Sequence, residues 1–153
     1  MTEIESVRKL GELVGREVAV SEWIEITQGR IDLFADATED RQWIHTDPER
    51  AARESPFKKT VAHGFLTLSL LSEMMRTAMK VGGVRMGINY GLDRVRFTSP
   101  VPAGSRVRGK FYLEKFVSVE GQDWSLATWA VSVECEVGGD MCCVANWLVR
   151  YYV

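Results

Sequence analysis

The chain has two histidines, His45 and His63, and both fall within residues 34–71, a stretch that also carries Asp36, Glu39, Asp40 and Asp47. Asp40 and His45 stand five residues apart across a predicted loop, close enough to aim at one small molecule. A carboxylate and an imidazole are well suited to moving protons near neutral pH. His63 is followed by Gly64 and then by a long apolar run that predicts a buried helix. The unpaired amides and positive dipole end of such a helix attract negative charge. The Gly64 N–H is therefore a candidate to hold a thioester or ester carbonyl oxygen as it becomes an enolate. These are the parts needed for acid–base chemistry on a carbonyl compound.

Each part also has a plainer reading. Asp40 can be a solvated loop acid and His45 a hydrogen-bonded structural residue, since both are common in loops. His63 can simply cap the helix, with Gly64 permitting close packing. Asp36, Glu39 and Asp47 read as helix-end or surface charges. Ser69 and Ser72 fall on the buried helix, where a hydroxyl most often bonds the carbonyl one turn back. No G-x-S-x-G elbow is present, so a serine nucleophile is unsupported. Arg94, Arg96, Arg106, Arg108 and Lys110 alternate along neighbouring predicted strands. They form either a solvated sheet face or phosphate contacts to a nucleotide-bearing substrate. No phosphate-loop or dinucleotide glycine pattern occurs, which leaves a nucleotide cofactor unsupported.

The elements that must position these residues follow from periodicity. Residues 3–14 predict a short packed helix, because Ile4, Val7, Leu10 and Val14 recur at helical spacing. Residues 17–26 predict a strand, followed by a helix capped by Thr27 and ending near Thr38, with residues 39–46 as a loop. Asp47-Pro48 opens a second short helix. Residues 65–75 predict a helix buried on nearly all sides, stopped by Gly82-Gly83. The period then changes from helical to two: four consecutive antiparallel strands follow, with a bulge near Gly91 and a hairpin turn at Gly138-Gly139-Asp140. One antiparallel sheet of five or more strands wrapped around a long central helix satisfies this order. That α+β architecture is called hotdog. It leaves sheet edges open, so pairing with a second copy is expected.

Composition sets the outer bounds. The 153 residues fit one domain, and 46% apolar with 26% charged residues is a globular balance. The charges are interspersed and the net charge is −2, which argues against a nucleic-acid surface. No run approaches a membrane span, because the best candidate is interrupted at Glu73 and Arg76. Cys135, Cys142 and Cys143 are an odd count with two adjacent, a poor arrangement for disulfides or zinc. They read as reduced thiols on strands, in keeping with a cytoplasmic location.

With these residues in place, a resemblance emerges. Phe34-Ala35-x-x-Thr38-x-Asp40-x-x-x-x-His45-x-Asp47-Pro48, followed by Ala62-His63-Gly64-Phe65, resembles the hydratase motif of the MaoC-like (R)-specific enoyl-CoA hydratases. The likeness runs from about Trp23 through Asn89-Tyr90-Gly91, Arg96-Phe97 and Pro100-Val101 to the last strand, and is nearest the single-domain NodN-like branch. It implies one hotdog domain over residues 1–153, acting as a homodimer on an acyl-CoA or acyl-carrier-protein thioester. It implies neither cofactor nor metal. Carried over, Asp40 and His45 would be the catalytic pair that activates water. Gly64 would hold the thioester oxygen, and Ser72 would be a hydroxyl on the substrate side. Gln42-Trp43 departs from the commoner Asn-Pro before the histidine, and Lys58 replaces a usual glycine. The expected activity is water addition to trans-2-enoyl-CoA, giving (R)-3-hydroxyacyl-CoA. An acyl-CoA thioesterase and a catalytically silent acyl-CoA binding subunit are the alternatives.

Overall fold

The computed structural model describes residues 1–153. Near the N-terminus lie a short strand, β1 (Thr2–Ile4), and a short helix, α1 (Val7–Gly11), capped by the Ser6 hydroxyl, which accepts from the Lys9 N–H at 3.3 Å. The helix expected from about 3 to 14 is thus shorter and later. Ile4 is drawn instead into a parallel pairing with Val81. The strand expected over residues 17–26 is two strands, β2 (Arg16–Val20) and β3 (Ile24–Ile26). The chain turns between them at Ser21, whose hydroxyl accepts the Gly109 N–H at 2.9 Å.

Capping chemistry defines the next helices. The Thr27 hydroxyl accepts from the Arg30 N–H at 3.1 Å and opens α2 (Gln28–Thr38). The expected loop over 39–46 contains one helical turn, α3 (Trp43–Thr46), too short to leave a readable period. Asp47 caps α4 (Pro48–Glu54), accepting from the Arg50 N–H at 2.9 Å, with Pro48 at the first helical position.

The central helix runs as two segments, α5 (Gly64–Ser69) and α6 (Leu71–Ala78), which meet at Leu70. Backbone bonds carry the helical path through the junction: the Leu70 N–H reaches the Leu66 carbonyl at 3.2 Å, and the Met74 N–H reaches the Leu70 carbonyl at 2.9 Å. One face, with Leu66, Thr67, Leu71, Met74 and Ala78, is buried. The opposite face is open to solvent in the single chain: Phe65 is 67% exposed, and Ser69, Ser72 and Arg76 are also exposed. Burial on all sides is therefore not observed. Nor do Gly82 and Gly83 end the helix, because the chain passes directly into β4 (Met79–Val81). Gly82 instead crosses the N-terminal strand, where a Cβ would lie 2.2 Å from the Glu5 carbonyl oxygen.

Four long strands complete the chain: β5 (Met86–Arg96), β6 (Ser105–Ser118), β7 (Trp124–Cys135) and β8 (Met141–Tyr152). They are consecutive in sequence but not in space. The sheet order is β2-β6-β7-β8-β5, with β3 also on β6, so β5 occupies the far edge beside β8. The register slips between Asn89 and Gly91, where a bulge is expected, and again between Asp93 and Arg96. Alternation buries Val107, Phe111 and Leu113 of β6 with Trp129, Val131 and Val133 of β7. Trp129 meets Phe111 edge-on at 6.2 Å and donates to the Tyr151 hydroxyl at 3.2 Å. The helix packs against the sheet so closely at Gly109 that a Cβ there would stand 3.1 Å from the Met74 sulfur. This antiparallel sheet on a central helix is the hotdog arrangement.

Candidate active site

Three elements bring Asp40, His45 and His63 together. Glu39 adopts a left-handed conformation, φ 61°, that ends α2 and turns the chain into Asp40, whose side chain is largely exposed. The single turn of α3 carries His45 inward, leaving it 8% exposed. His63, 3% exposed, immediately precedes α5. The two imidazoles stack with centroids 3.8 Å apart and planes 26° apart, and Phe34 lies 5.0 Å from the His63 ring.

Backbone carbonyls assign the tautomers. His45 Nδ1 lies 2.6 Å from the Val61 carbonyl oxygen. A carbonyl only accepts, so the neutral ring carries its proton on Nδ1 and keeps a lone pair on Nε2. His63 Nε2 lies 2.9 Å from the Asp40 backbone oxygen and 3.9 Å from its carboxylate, which places the His63 proton on Nε2. Burial pushes His45 below its ordinary value of 6.5. The hydrogen bond to Val61 opposes that shift, His63 adds to it, and the Asp40 charge opposes it again more weakly. His45 is thereby held as a neutral base at physiological pH.

Candidate ligating atoms of Asp40, His45 and His63 fall within 4.8 Å of one another. A metal bound by two imidazoles must lie in both ring planes, along their lone pairs. Face-to-face rings 3.8 Å apart do not converge on such a point, and one nitrogen of each ring is already engaged by a carbonyl. The geometry fits proton transfer better than metal binding.

Gly64 begins α5 and its own amide, at the first helical position, has no intrahelical partner, whereas the Leu66 N–H already reaches the His63 carbonyl at 3.0 Å. The Phe97 ring packs on it so tightly that a Cβ would meet ring carbons at 2.6 Å. A cavity of about 260 Å³ opens here, lined among others by Phe57, Ala62, Gly64, Thr67, Phe97 and Cys142. Burial, reinforced by the neighbouring cysteines, pushes the Cys142 thiol up to about 12, and it donates to the Val133 carbonyl. Such a thiol is no nucleophile. Neither Asp40 nor His45 lines this cavity; the link between them and it is His63, which precedes Gly64 and stacks on His45.

A model of the MaoC like domain matches residues 9–133. The chain belongs to the MaoC-like family. Nodulation protein N of Rhizobium leguminosarum bv. viciae is 54% identical over 136 residues, 88% of this chain and 84% of that one. The 3-hydroxyacyl-thioester dehydratase Z of Mycobacterium tuberculosis is 49% identical over 153 residues, 99% of each chain. The unliganded R-hydratase PhaJ1 from Pseudomonas aeruginosa superposes with a TM-score of 0.69 at 23% identity, covering 91% of this chain and 81% of that one. That likeness shows a shared fold.

Within this MaoC-like domain the expected site residues separate into two groups. Asp40, His45 and Gly64 lie along one short path through His63. Ser72 does not join them: eight residues beyond Gly64 on the helix, it is roughly 12 Å further along the axis. There, with Ser69, Asn89, Leu92 and Trp147, it lines a separate cavity of about 130 Å³. Ser69 bonds the Phe65 carbonyl one turn back, as expected. The basic strand face is largely neutralised within the chain. Arg106 pairs with Glu136, Arg108 and Lys110 with Glu134, and the Trp23 ring lies 4.4 Å from the Arg108 guanidinium. Those pairings favour the solvated-face reading for Arg106, Arg108 and Lys110.

Gln28 has a part that nothing in its local sequence signals. Its amide donates to the His45 carbonyl at 2.7 Å and accepts from the Thr60 hydroxyl, tying α2, α3 and the 60–62 segment into one frame. The Val61 carbonyl that sets the His45 tautomer is equally silent in sequence, lying sixteen residues away. His63 was visible as a histidine, but not as a partner of Asp40.

Proposed function

We propose that this MaoC-like chain is an (R)-specific enoyl-thioester hydratase, working in both directions between trans-2-enoyl-CoA and (R)-3-hydroxyacyl-CoA. The observation that carries the proposal is the proximity of the Asp40 carboxylate to His45, a buried imidazole whose Nδ1 proton is fixed on Val61 and whose Nε2 is free to accept. Conjugation with the thioester makes the β-carbon electrophilic. His45 Nε2 takes a proton from a water oriented by Asp40, and the resulting hydroxide oxygen bonds to the β-carbon. Negative charge moves onto the thioester oxygen, facing the Gly64 N–H. The pair then returns a proton to the α-carbon, so one water is added in total. The reverse sequence is dehydration, in keeping with the name of the 49% identical 3-hydroxyacyl-thioester dehydratase.

The substrate would be a CoA or acyl-carrier-protein thioester, and the working unit a homodimer. The test incubates the chain with crotonyl-CoA while following the enoyl absorbance, free thiol and the configuration of the product. Loss of the enoyl absorbance without thiol, yielding (R)-3-hydroxybutyryl-CoA, supports the proposal. Thiol release would indicate a thioesterase, and no reaction a silent binding subunit.

A further inference from the structure

We infer that His63 is a positioning residue of this site: its Nε2–H ties down the Asp40 backbone while its ring forms the wall against which His45 lies. The inference rests on the hydration reading for its effect on rate, but its geometric content stands apart from it.

The plainer role, capping the helix, does not apply, since the His63 side chain makes no hydrogen bond to the first-turn amides. Its contacts run the other way, to the residues proposed for chemistry. Nε2 donates to the Asp40 carbonyl across 23 positions of sequence, at 2.9 Å, and sits 3.9 Å from the same residue's carboxylate. That residue follows the left-handed Glu39 on an open loop and carries an exposed side chain, so a buried anchor on its backbone limits where the carboxylate can travel. The other contact is the stack on His45.

The remaining nitrogen completes the case. His63 Nδ1 is buried and has no hydrogen-bond partner. In the Nε2–H tautomer this nitrogen is a bare lone pair, and the ring's N–H is the one directed at the Asp40 carbonyl. A phenylalanine would fill much of the same space beside Phe34 without enclosing an unsatisfied polar atom. What histidine adds is the Nε2–H, aimed at Asp40.

Nitrogen-15 spectra of the full chain test the geometry without any substrate, and with only two histidines the ring signals are assigned by removing one. His63 is expected as the Nε2–H tautomer and His45 as the Nδ1–H tautomer. A His63 proton on Nδ1 would overturn the inference whether or not the chain hydrates enoyl thioesters. Kinetics test the consequence. His63→Phe, which keeps a ring but loses the donor, is expected to lower kcat by about 10- to 100-fold while KM moves less than about threefold. His63→Gln restores an N–H at similar reach and should recover about tenfold of that loss. Full activity in folded His63→Phe, or equal losses in both variants, would contradict the role of the donor. If wild type itself fails to hydrate, the function proposal falls while the spectra still decide the inference. If His63→Phe does not fold, the wild-type tautomers decide it.

Discussion

At the scale of residues, the central feature is a histidine whose two nitrogens have different duties. Because burial lowers the His45 pKa, its neutral form should persist as pH falls through 6.5. The acid limb of kcat/KM for hydration is therefore expected to have its midpoint below 6.5, since the base must be unprotonated in the free enzyme. A midpoint above that value would contradict the environment described for His45. The linked stability has the same sign. An unfolded chain binds this proton more readily than the folded one, so the contribution of His45 to folding declines as pH drops below about 6.5. The types and order of Asp40, His45 and His63-Gly64 were legible in the sequence because a short motif carries them. The tautomers were not, because they depend on the Val61 and Asp40 carbonyls, brought close only by the fold.

At the scale of elements, local chemistry was readable and distant pairing was not. Thr27 and Asp47 announce their helices because a cap acts on amides three residues away. The N-terminal strand, by contrast, exists because β4 lies beside it, and no pattern within residues 1–14 encodes that neighbour. Likewise β5 reads as the first of four strands, yet its place beside β8 is a property of the whole sheet. Two substitutions probe the elements around the site. Gly64→Ala should cost about 1–3 kcal/mol of stability, because the added methyl meets the Phe97 ring. Denaturant unfolding measures this, and an unchanged midpoint would mean that the ring moves aside freely. Lys58 holds a left-handed conformation, φ 58°, which a glycine adopts without strain. Lys58→Gly is accordingly expected to raise stability by up to about 1 kcal/mol in the same measurement. A loss would show that the lysine side chain contributes more than its backbone costs.

At the scale of the whole molecule, one chain leaves surface that calls for cover. β5 pairs with β8 on one side only, and Met86, Ile88 and Tyr90 along it are exposed, as is Phe65 on the open face of the central helix. Open strand edges with apolar side chains favour association. A second copy of the chain is the proposed cover, which also suits the expectation of a homodimer. Sedimentation should return about twice the chain mass, with Ile88→Asp shifting the population towards monomer. A fully active monomer at assay concentration would contradict this. No helix of the chain is long and apolar enough to cross a membrane.

The decisive measurement is the rate of crotonyl-CoA hydration by Asp40→Asn, His45→Gln and the double variant, each first shown to have wild-type circular dichroism and oligomer mass. Each single substitution is expected to lower kcat by roughly 10² to 10⁴. The double variant should lose little more than the worse single one, because the proposed mechanism has the pair acting on one water as a unit. Asp36→Asn, which removes only an exposed contact to Arg41, is the control and should remain near wild type. Normal hydration rates in both folded single variants would show that Asp40 and His45 do not carry the reaction.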